Sequence, residues 1–458
     1  MRPQRKLTVL RRALQVSALA VPVLCVSQMS SAAAFTPGNI VVTRAVGGDV
    51  DTSGGGGSAG AITTPFALGG SGVAATVFLD EYTPLGGFVQ SVQLPNVRNT
   101  SGTGNRALTF SGTQNTEGAI TLSGDGRFFV IAGYNATGCG TTSSANFLAT
   151  SNGASTAVER VVGLVGVDGS INTTTALTDV SSGQAFRSAY SSNGTDIWAS
   201  GGSGSGTTSG IHYATVGSST STQLVAGVTN HRVLNAFNGS LYVSNNSQTV
   251  ATRGPNQMSG GLATSGAQTL TQLPGFNVVA APTPTGQNTD DFWFKDPNTL
   301  YIADERNGAT GSGNGDGANG GVQKWIIGDI DPDPVNVTLG WIFQYNVPLG
   351  LSAGPANPTN NVGGHGLAGT IDPTTGNAIL YVTSFDGGGP NRNKLFKLVD
   401  DGTAAGFAAS LTTLATAPDN GGFATAFRGV EIVPVPEPTA MALLALSTVG
   451  LIRRRSSR

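Results

Sequence analysis

The chain has 458 residues, of which only 11% are charged, with 24 Lys and Arg set against 26 Asp and Glu. Sixty-seven glycines (Gly 67) and an aromatic content of 7% exclude a helical bundle or coiled coil, because Gly, Asn, Asp, Ser and Pro break helices and favour turns. The apolar material comes instead in short β-branched and aromatic runs such as FFVIAG, DIWAS, LYVSN, LYIAD and LYVTS, bordered by polar or Gly-rich segments, which is the pattern of an all-β chain.

Residues 1–34 read as a secretory signal peptide. A basic opening (Arg2, Arg5, Lys6, Arg11, Arg12) precedes an apolar stretch over 13–26, and small residues lead to a cut after Ala34. Cys25 follows Leu24, which is larger than the small residue a lipoprotein site prefers, so this thiol reads as part of the discarded segment. Arg11–Arg12 lacks the rest of a twin-arginine pattern. Without the leader only Cys139 remains, which leaves no intrachain disulfide to expect.

The body, 35–434, repeats a four-strand unit. GAITLSGDGRFFVIAGYNA through ALTDV is one unit, and AFRSAYSSNGTDIWASGG through TQLVAG is the next; others open at HRVLNAFNGSLYVSNN, DDFWFKDPNTLYIADER and GGHGLAGTIDPTTGNAILYVTSF. AFRGVEIVP at 426–434 matches the first strand of a unit, and the missing partners stand at the other end of the body as NIVVTRAV, ATVFLDEYTP and GFVQSVQLP. Recurring units of about 40–80 residues fit the blades of a β-propeller. The reading is therefore six blades, closed by pairing the C-terminal strand with the N-terminal strands, or seven if 97–180 holds another. Gly-rich insertions such as ADERNGATGSGNGDGANGG belong on exposed loops. The pattern resembles propellers of the NHL and lactonase-like type.

Near the openings of the six first strands lie Glu117, Arg187, Arg232, Asp291, His365 and Arg428. First strands line the central channel, so these mixed charges are candidates for binding an anionic sugar or a small acid. The competing reading is a set of ion pairs that fills a polar channel. No Gly-x-Ser-x-Gly elbow, His-Glu-x-x-His or Walker A loop occurs, and His212, His231 and His365 are the only histidines. No catalytic residue or resident metal is assigned. Calcium is a possible cofactor at Asp329, Asp331 and Asp333, or near Asp316, though Asp-Pro pairs form ordinary turns. Trp198, Trp293, Trp325 and Trp341 read as blade packing rather than a sugar platform.

The chain ends in VPEPTAMALLALSTVGLIRRRSSR. The apolar segment 439–452 has 14 residues, about 21 Å as a helix against a hydrocarbon core of about 30 Å, and Arg453, Arg454 and Arg455 follow it as a cytoplasmic stop. With Pro436, Glu437 and Pro438 in front, residues 435–458 closely resemble the PEP-CTERM sorting signal of exported bacterial proteins. The resemblance implies recognition by an integral-membrane exosortase, transient membrane association, removal of the tail, and delivery to the cell surface or an exopolysaccharide matrix. A permanently tethered protein is the alternative.

The leader and tail hold nine of the basic residues and no acid after Pro438, so the processed body carries 15 basic and 26 acidic groups. A formal charge of −11 argues against nucleic acid as a partner, since phosphate binding needs clustered Lys and Arg. The function expected is a non-enzymatic surface or matrix module that meets exopolysaccharide or other surface proteins. The alternative is a calcium-dependent lactonase-like or carbohydrate-active propeller enzyme.

Overall fold

A computed structural model of the chain describes residues 32–47, 74–111, 114–138, 153–202, 206–228, 230–247, 252–276, 288–306, 320–331, 333, 336–351, 362–385, 393–418 and 425–435. The leader through residue 31, the 436–458 tail with its sorting motif, Cys139 and Asp316 lie outside these. Among the described residues no helix is long and apolar enough to cross a membrane.

The fold is all-β, with one short helix. In chain order come β1 (Ile40–Val46), β2 (Ala74–Tyr82), β3 (Phe88–Gln93) and β4 (Thr109–Ser111), followed by β5 (Ile120–Leu122), β6 (Phe128–Tyr134), β7 (Arg160–Gly166) and β8 (Ile171–Leu177). Four further sets of four follow. They are β9 (Phe186–Ser191), β10 (Asp196–Gly201), β11 (Ile211–Thr215) and β12 (Thr222–Val225); then β13 (His231–Phe237), β14 (Ser240–Asn245), β15 (Gly254–Met258) and β16 (Leu270–Gln272). Next are β17 (Thr289–Asp296), β18 (Thr299–Asp304), β19 (Gly321–Asp329) and β20 (Leu339–Val347). The last set is β21 (Gly364–Ile371), β22 (Ala378–Ser384), β23 (Lys394–Asp400) and β24 (Thr412–Thr416), with α1 (Ala404–Ala409) between its last two strands, and β25 (Thr425–Ile432) ends the series.

Each of these last four sets is one antiparallel sheet in sequence order. Tight turns make this possible. Between β13 and β14, Asn238 and Gly239 both take positive φ (47° and 75°), the type I′ geometry whose twist matches a two-residue hairpin. The remaining strands form a nine-stranded sheet in which β25 pairs β1 from Ile432 opposite Ile40 to Thr425 opposite Val46, and β1 pairs β2. β4 was not foreseen in the sequence: it pairs with both β2 and β6 and joins the β25–β1–β2–β3 portion to β5–β8. It is the only strand of 97–180 beyond the β5–β8 set among the described residues.

Alternation along the strands sends apolar side chains to both faces, because each set is covered on both sides. Six apolar clusters result, each lying between neighbouring sets. One packs Val130 and Val162 against Phe186 and Ile197, and another packs Ile40 and Phe427 against Tyr381 and Leu395. The first strands β5, β9, β13, β17, β21 and β25 touch one another in that order, and β25 touches β5. The body is propeller-like.

Candidate functional site

A recurring bulge controls where the side chains at the strand starts point. In β13 the register skips from His231 to Leu234, in β17 from Thr289 to Phe292, and in β21 from Gly364 to Leu367. In β9 it skips from Phe186 to Ser188, and in β25 from Phe427 to Val430. Bulges re-aim side chains and sharpen twist. Arg187, Arg232, Asp291, His365 and Arg428 all stand on these irregular steps, and Glu117 stands just before β5.

A hydroxyl secures the bulge in three sets. Ser244, Thr383 and Thr43 occupy the single position opposite the two bulged residues. Ser244 accepts from the Val233 amide (2.9 Å) and donates to the Asp290 carbonyl of the next set (2.5 Å). Thr383 accepts from the Gly366 amide (2.9 Å) and donates to the Arg428 carbonyl. Thr43 accepts from the Gly429 amide (2.8 Å) and donates to the Gly118 carbonyl (2.6 Å). The backbones approach so closely that a Cβ on Gly429 would lie 2.5 Å from the Ile120 nitrogen, which leaves no room for a side chain there.

Three of the six sequence candidates are occupied by structural duties. Glu117 accepts from the Ser111 amide (2.9 Å) and the Tyr134 hydroxyl (2.5 Å), and burial pushes its carboxyl up to about 7. Arg428 donates to the Asn115 carbonyl at 2.7 Å. Asp291 accepts from the amides of Phe292 (2.7 Å) and Leu367 (2.9 Å), the second on the neighbouring sheet, and burial raises it well above the ordinary carboxylate range.

Arg232 and His365 meet two acids that sequence reasoning missed, and Arg187 stands near them. Arg232 Nη2 reaches Glu305 Oε2 at 3.5 Å, and its Nε stands 3.9 Å from Asp290 Oδ1. His365 Nδ1 donates to Asp290 Oδ2, since an ionised carboxylate only accepts. Arg187 donates from Nη1 to Asn230 Oδ1 and the His231 carbonyl, both at 2.9 Å, and from Nε to Thr116 Oγ1 at 3.0 Å. Glu305 Oε1 accepts from Asn246 (2.7 Å) and Asn288 (3.0 Å). The cluster is almost wholly withdrawn from water, with Arg232 7% and His365 5% exposed. Burial works to raise Asp290, but His365 and Arg232 together hold it below its ordinary value, whereas burial leaves Glu305 raised. Arg187 is pushed down to about 9 by burial and by the neighbouring Arg232.

Two nitrogens in this cluster remain without a hydrogen-bond partner, Arg232 Nε and His365 Nε2. Arg232 Nε is a donor, and a buried donor left unmade costs about 1–3 kcal/mol, so an acceptor supplied from outside would be held there. With His365 Nδ1 donating, Nε2 of a neutral imidazole is an acceptor. The signals for the two missed acids are slight. Asp290 precedes Asp291 in TDDFWF, and Glu305 follows LYIAD.

Elsewhere Asp329 and Asp331 accept from nearby backbone amides, as aspartates in turns do. Asp329 Oδ1 accepts from the amides of Asp331 (3.1 Å) and Thr338 (2.9 Å), and Asp331 Oδ1 accepts from the Asp333 amide (2.9 Å). Among the described residues no group of three or more His, Cys, Asp or Glu is placed to hold a metal. Trp198, Trp325 and Trp341 are buried in the clusters between sets, and Trp293 is half-buried.

No family profile matches the sequence, and no curated protein sequence does either. Among solved structures, a protein from Lactobacillus plantarum is similar at 10% identity and a TM-score of 0.35, over 83% of this chain and 82% of its own. Hydrazine synthase from Kuenenia stuttgartiensis aligns at 9% identity and 0.32, over 74% and 81%. A variant apocarotenoid oxygenase from Synechocystis aligns at 12% identity and 0.21, over 82% and 63%. Likenesses at these TM-scores transfer no property to this chain.

Proposed function

We propose that the chain is an exported six-bladed β-propeller, sorted by an exosortase-type system to the cell surface or extracellular matrix. There it acts as a non-enzymatic module that binds carboxylate groups of an acidic exopolysaccharide. The observation that carries the binding role is the unpartnered buried donor Arg232 Nε beside the guanidinium of Arg187. A uronate carboxylate accepts from a guanidinium, and such charge-assisted bonds are the strong ones. The acids of the cluster are already engaged by Arg232, His365, Asn246 and Asn288, so the arrangement is a charge network with a spare guanidinium donor. This favours a binding module over the calcium-dependent lactonase-like or carbohydrate-active reading.

The six-bladed ring is supported by the six clusters between sets and by the pairing of β25 with β1. The arrangement of the two processing points supports the export reading. Ala33 and Ala34 are exposed, whereas Phe35 is buried against Phe129 (centroids 5.3 Å apart). Val433 is tied to the start of the body by the Gly38 and Val433 amides, each at 2.9 Å, and Val435 is exposed. The leader cut therefore falls at exposed residues, and the described body ends at an exposed one.

The test pairs intact mass analysis of surface and medium fractions with binding of polygalacturonate, using dextran as the neutral control. A product beginning at Phe35 and lacking the tail, which binds polygalacturonate and loses most of that binding in Arg232→Met, is expected. Equal binding of dextran, or unchanged binding by the folded variant, overturns the carboxylate role. A retained tail overturns processing.

A further inference from the structure

A concavity lies at the opposite end of the first strands, where they finish. It has a volume of about 270 Å³, and all six first strands contribute to it, through Leu122, Tyr190, Asn235, Trp293, Gly369 and Glu431. Tyr190, Phe237, Phe292, Trp293 and Phe294 give its wall five aromatic side chains. Trp293 lies flat over β21, where a Cβ on Gly369 would fall 2.3 Å from its ring. Phe294, also in the wall, stacks on Phe237 at 4.8 Å.

Glu431 is the acid in this wall. Its Oε1 accepts from the Ile432 amide at 2.9 Å, and among the described residues no ion pair includes it. The nearby charges do not neutralise it. Arg127 is tied to Asp125 at 2.7 Å and to the Asn193 carbonyl at 2.9 Å, Lys295 on β17 forms no ion pair with it, and Asp291 adds repulsion. Tyr190 stays neutral, its hydroxyl pushed up to about 12 by burial and by Asp125. Burial accordingly pushes the Glu431 carboxyl up to about 7.

We propose that this cavity binds a small organic ammonium ion, with its charge at Glu431 and its carbon body against Trp293, Tyr190 and Phe294. An unpaired carboxylate in a poorly hydrated wall is stabilised by a cation, and aromatic faces attract cations as well as apolar groups. An anionic ligand would meet Glu431 directly. A hard metal ion needs six or more oxygens, and the wall offers a single carboxylate. The volume falls just below the usual range for ligand pockets, about 300–1,000 Å³, which suits a body the size of one six-membered ring. This site shares no group with Arg232 and His365, so it stands or falls separately from the carboxylate role.

The test is calorimetric titration of the purified protein with cyclohexylammonium and with its neutral counterpart cyclohexanol, from pH 5.5 to 8.5. An alkylammonium of this kind stays charged throughout, as a lysine does with its pKa of about 10.4. Its affinity should rise about tenfold per pH unit below the Glu431 midpoint and level off above it, while that of cyclohexanol stays flat and weaker. Glu431→Gln should abolish the pH dependence and weaken cyclohexylammonium about tenfold or more at pH 8, leaving cyclohexanol unchanged. Ala236→Leu, which fills the cavity, should remove both ligands. Cyclohexylammonium binding no tighter than cyclohexanol, or a Glu431→Gln protein that binds it as the wild type does, overturns the proposal. So does failure of both ligands to bind.

Discussion

Thr43 and Gly429 lie 386 residues apart and are joined by a 2.8 Å hydrogen bond from the glycine amide to the threonine hydroxyl. The same hydroxyl donates to Gly118, so one side chain ties together β1, β25 and the turn into β5. Ser244 and Thr383 do the same between other sets, so the join between the two ends of the body repeats a device used within it. Thr43→Val keeps the shape but removes two bonds from a buried amide and a buried carbonyl, which keep only their own bond to each other at 3.1 Å, at about 0.5–1.5 kcal/mol per bond lost. Urea unfolding should show a loss of that order, with Thr43→Ser losing much less. Equal stability of the valine and serine variants would refute this role.

Glu117 makes stability depend on pH. Its ordinary value is 4.5 and its folded value about 7, so the folded state binds more protons than the unfolded state between these limits. Stability is therefore fully present below about 4.5 and falls as pH rises toward 7. A displacement of this size corresponds to roughly 3 kcal/mol. Glu431 shifts in the same direction, so Glu117→Gln should flatten part of the slope in denaturation profiles and leave the rest. An unaltered slope would contradict the assignment.

The strands were legible because each carries two signals at once, β-branched or aromatic alternation and a turn at its border. Even the pairing of AFRGVEIVP with NIVVTRAV could be read, since an orphan first strand and three partnerless strands stood at opposite ends. The site was legible only in part. Strand alternation assigns adjacent Asp290 and Asp291 to opposite faces but not to particular ones, and the bulge between Thr289 and Phe292 decides that Asp290 meets His365 while Asp291 caps a neighbouring amide. A bulge depends on what the partner strand offers opposite it, and that lies elsewhere in the chain. Glu305 was missed for a related reason: it follows the second strand of its set, and only the packing of sets brings it to Arg232 on the first strand of another. β4, three residues long, is too short to show a period.

Gly369 marks where a first strand must yield to a ring. With its would-be Cβ 2.3 Å from Trp293, Gly369→Ala forces either the indole or the β21 backbone to move. Overpacking of this kind costs about 1–3 kcal/mol. The variant should melt earlier and show altered Trp293 fluorescence, and pairing it with Trp293→Leu should recover part of the loss. A Gly369→Ala protein with wild-type stability would mean that the ring has free space after all.

Arg44 and Asp80 provide a test of buried charge in the β1–β2 hairpin. Arg44 Nε donates to Asp80 Oδ2 at 2.5 Å and Nη2 to Oδ1 at 3.1 Å, Ser91 adds a bond to Oδ1 at 2.6 Å, and the guanidinium covers the Phe78 ring at 4.6 Å. Both side chains are at least nine-tenths buried. The attraction offsets the desolvation of two ions only while both are present, so removing one partner costs about 3–5 kcal/mol. Arg44→Met should therefore be strongly destabilising, because Asp80 keeps only the Ser91 hydroxyl. Arg44→Met combined with Asp80→Leu removes both charges and should be less destabilising than Arg44→Met alone, giving a coupling energy that a double-mutant cycle reads directly. If the double variant loses as much as the sum of the single ones, the pair contributes nothing as a pair, and the hairpin is held by its apolar contacts.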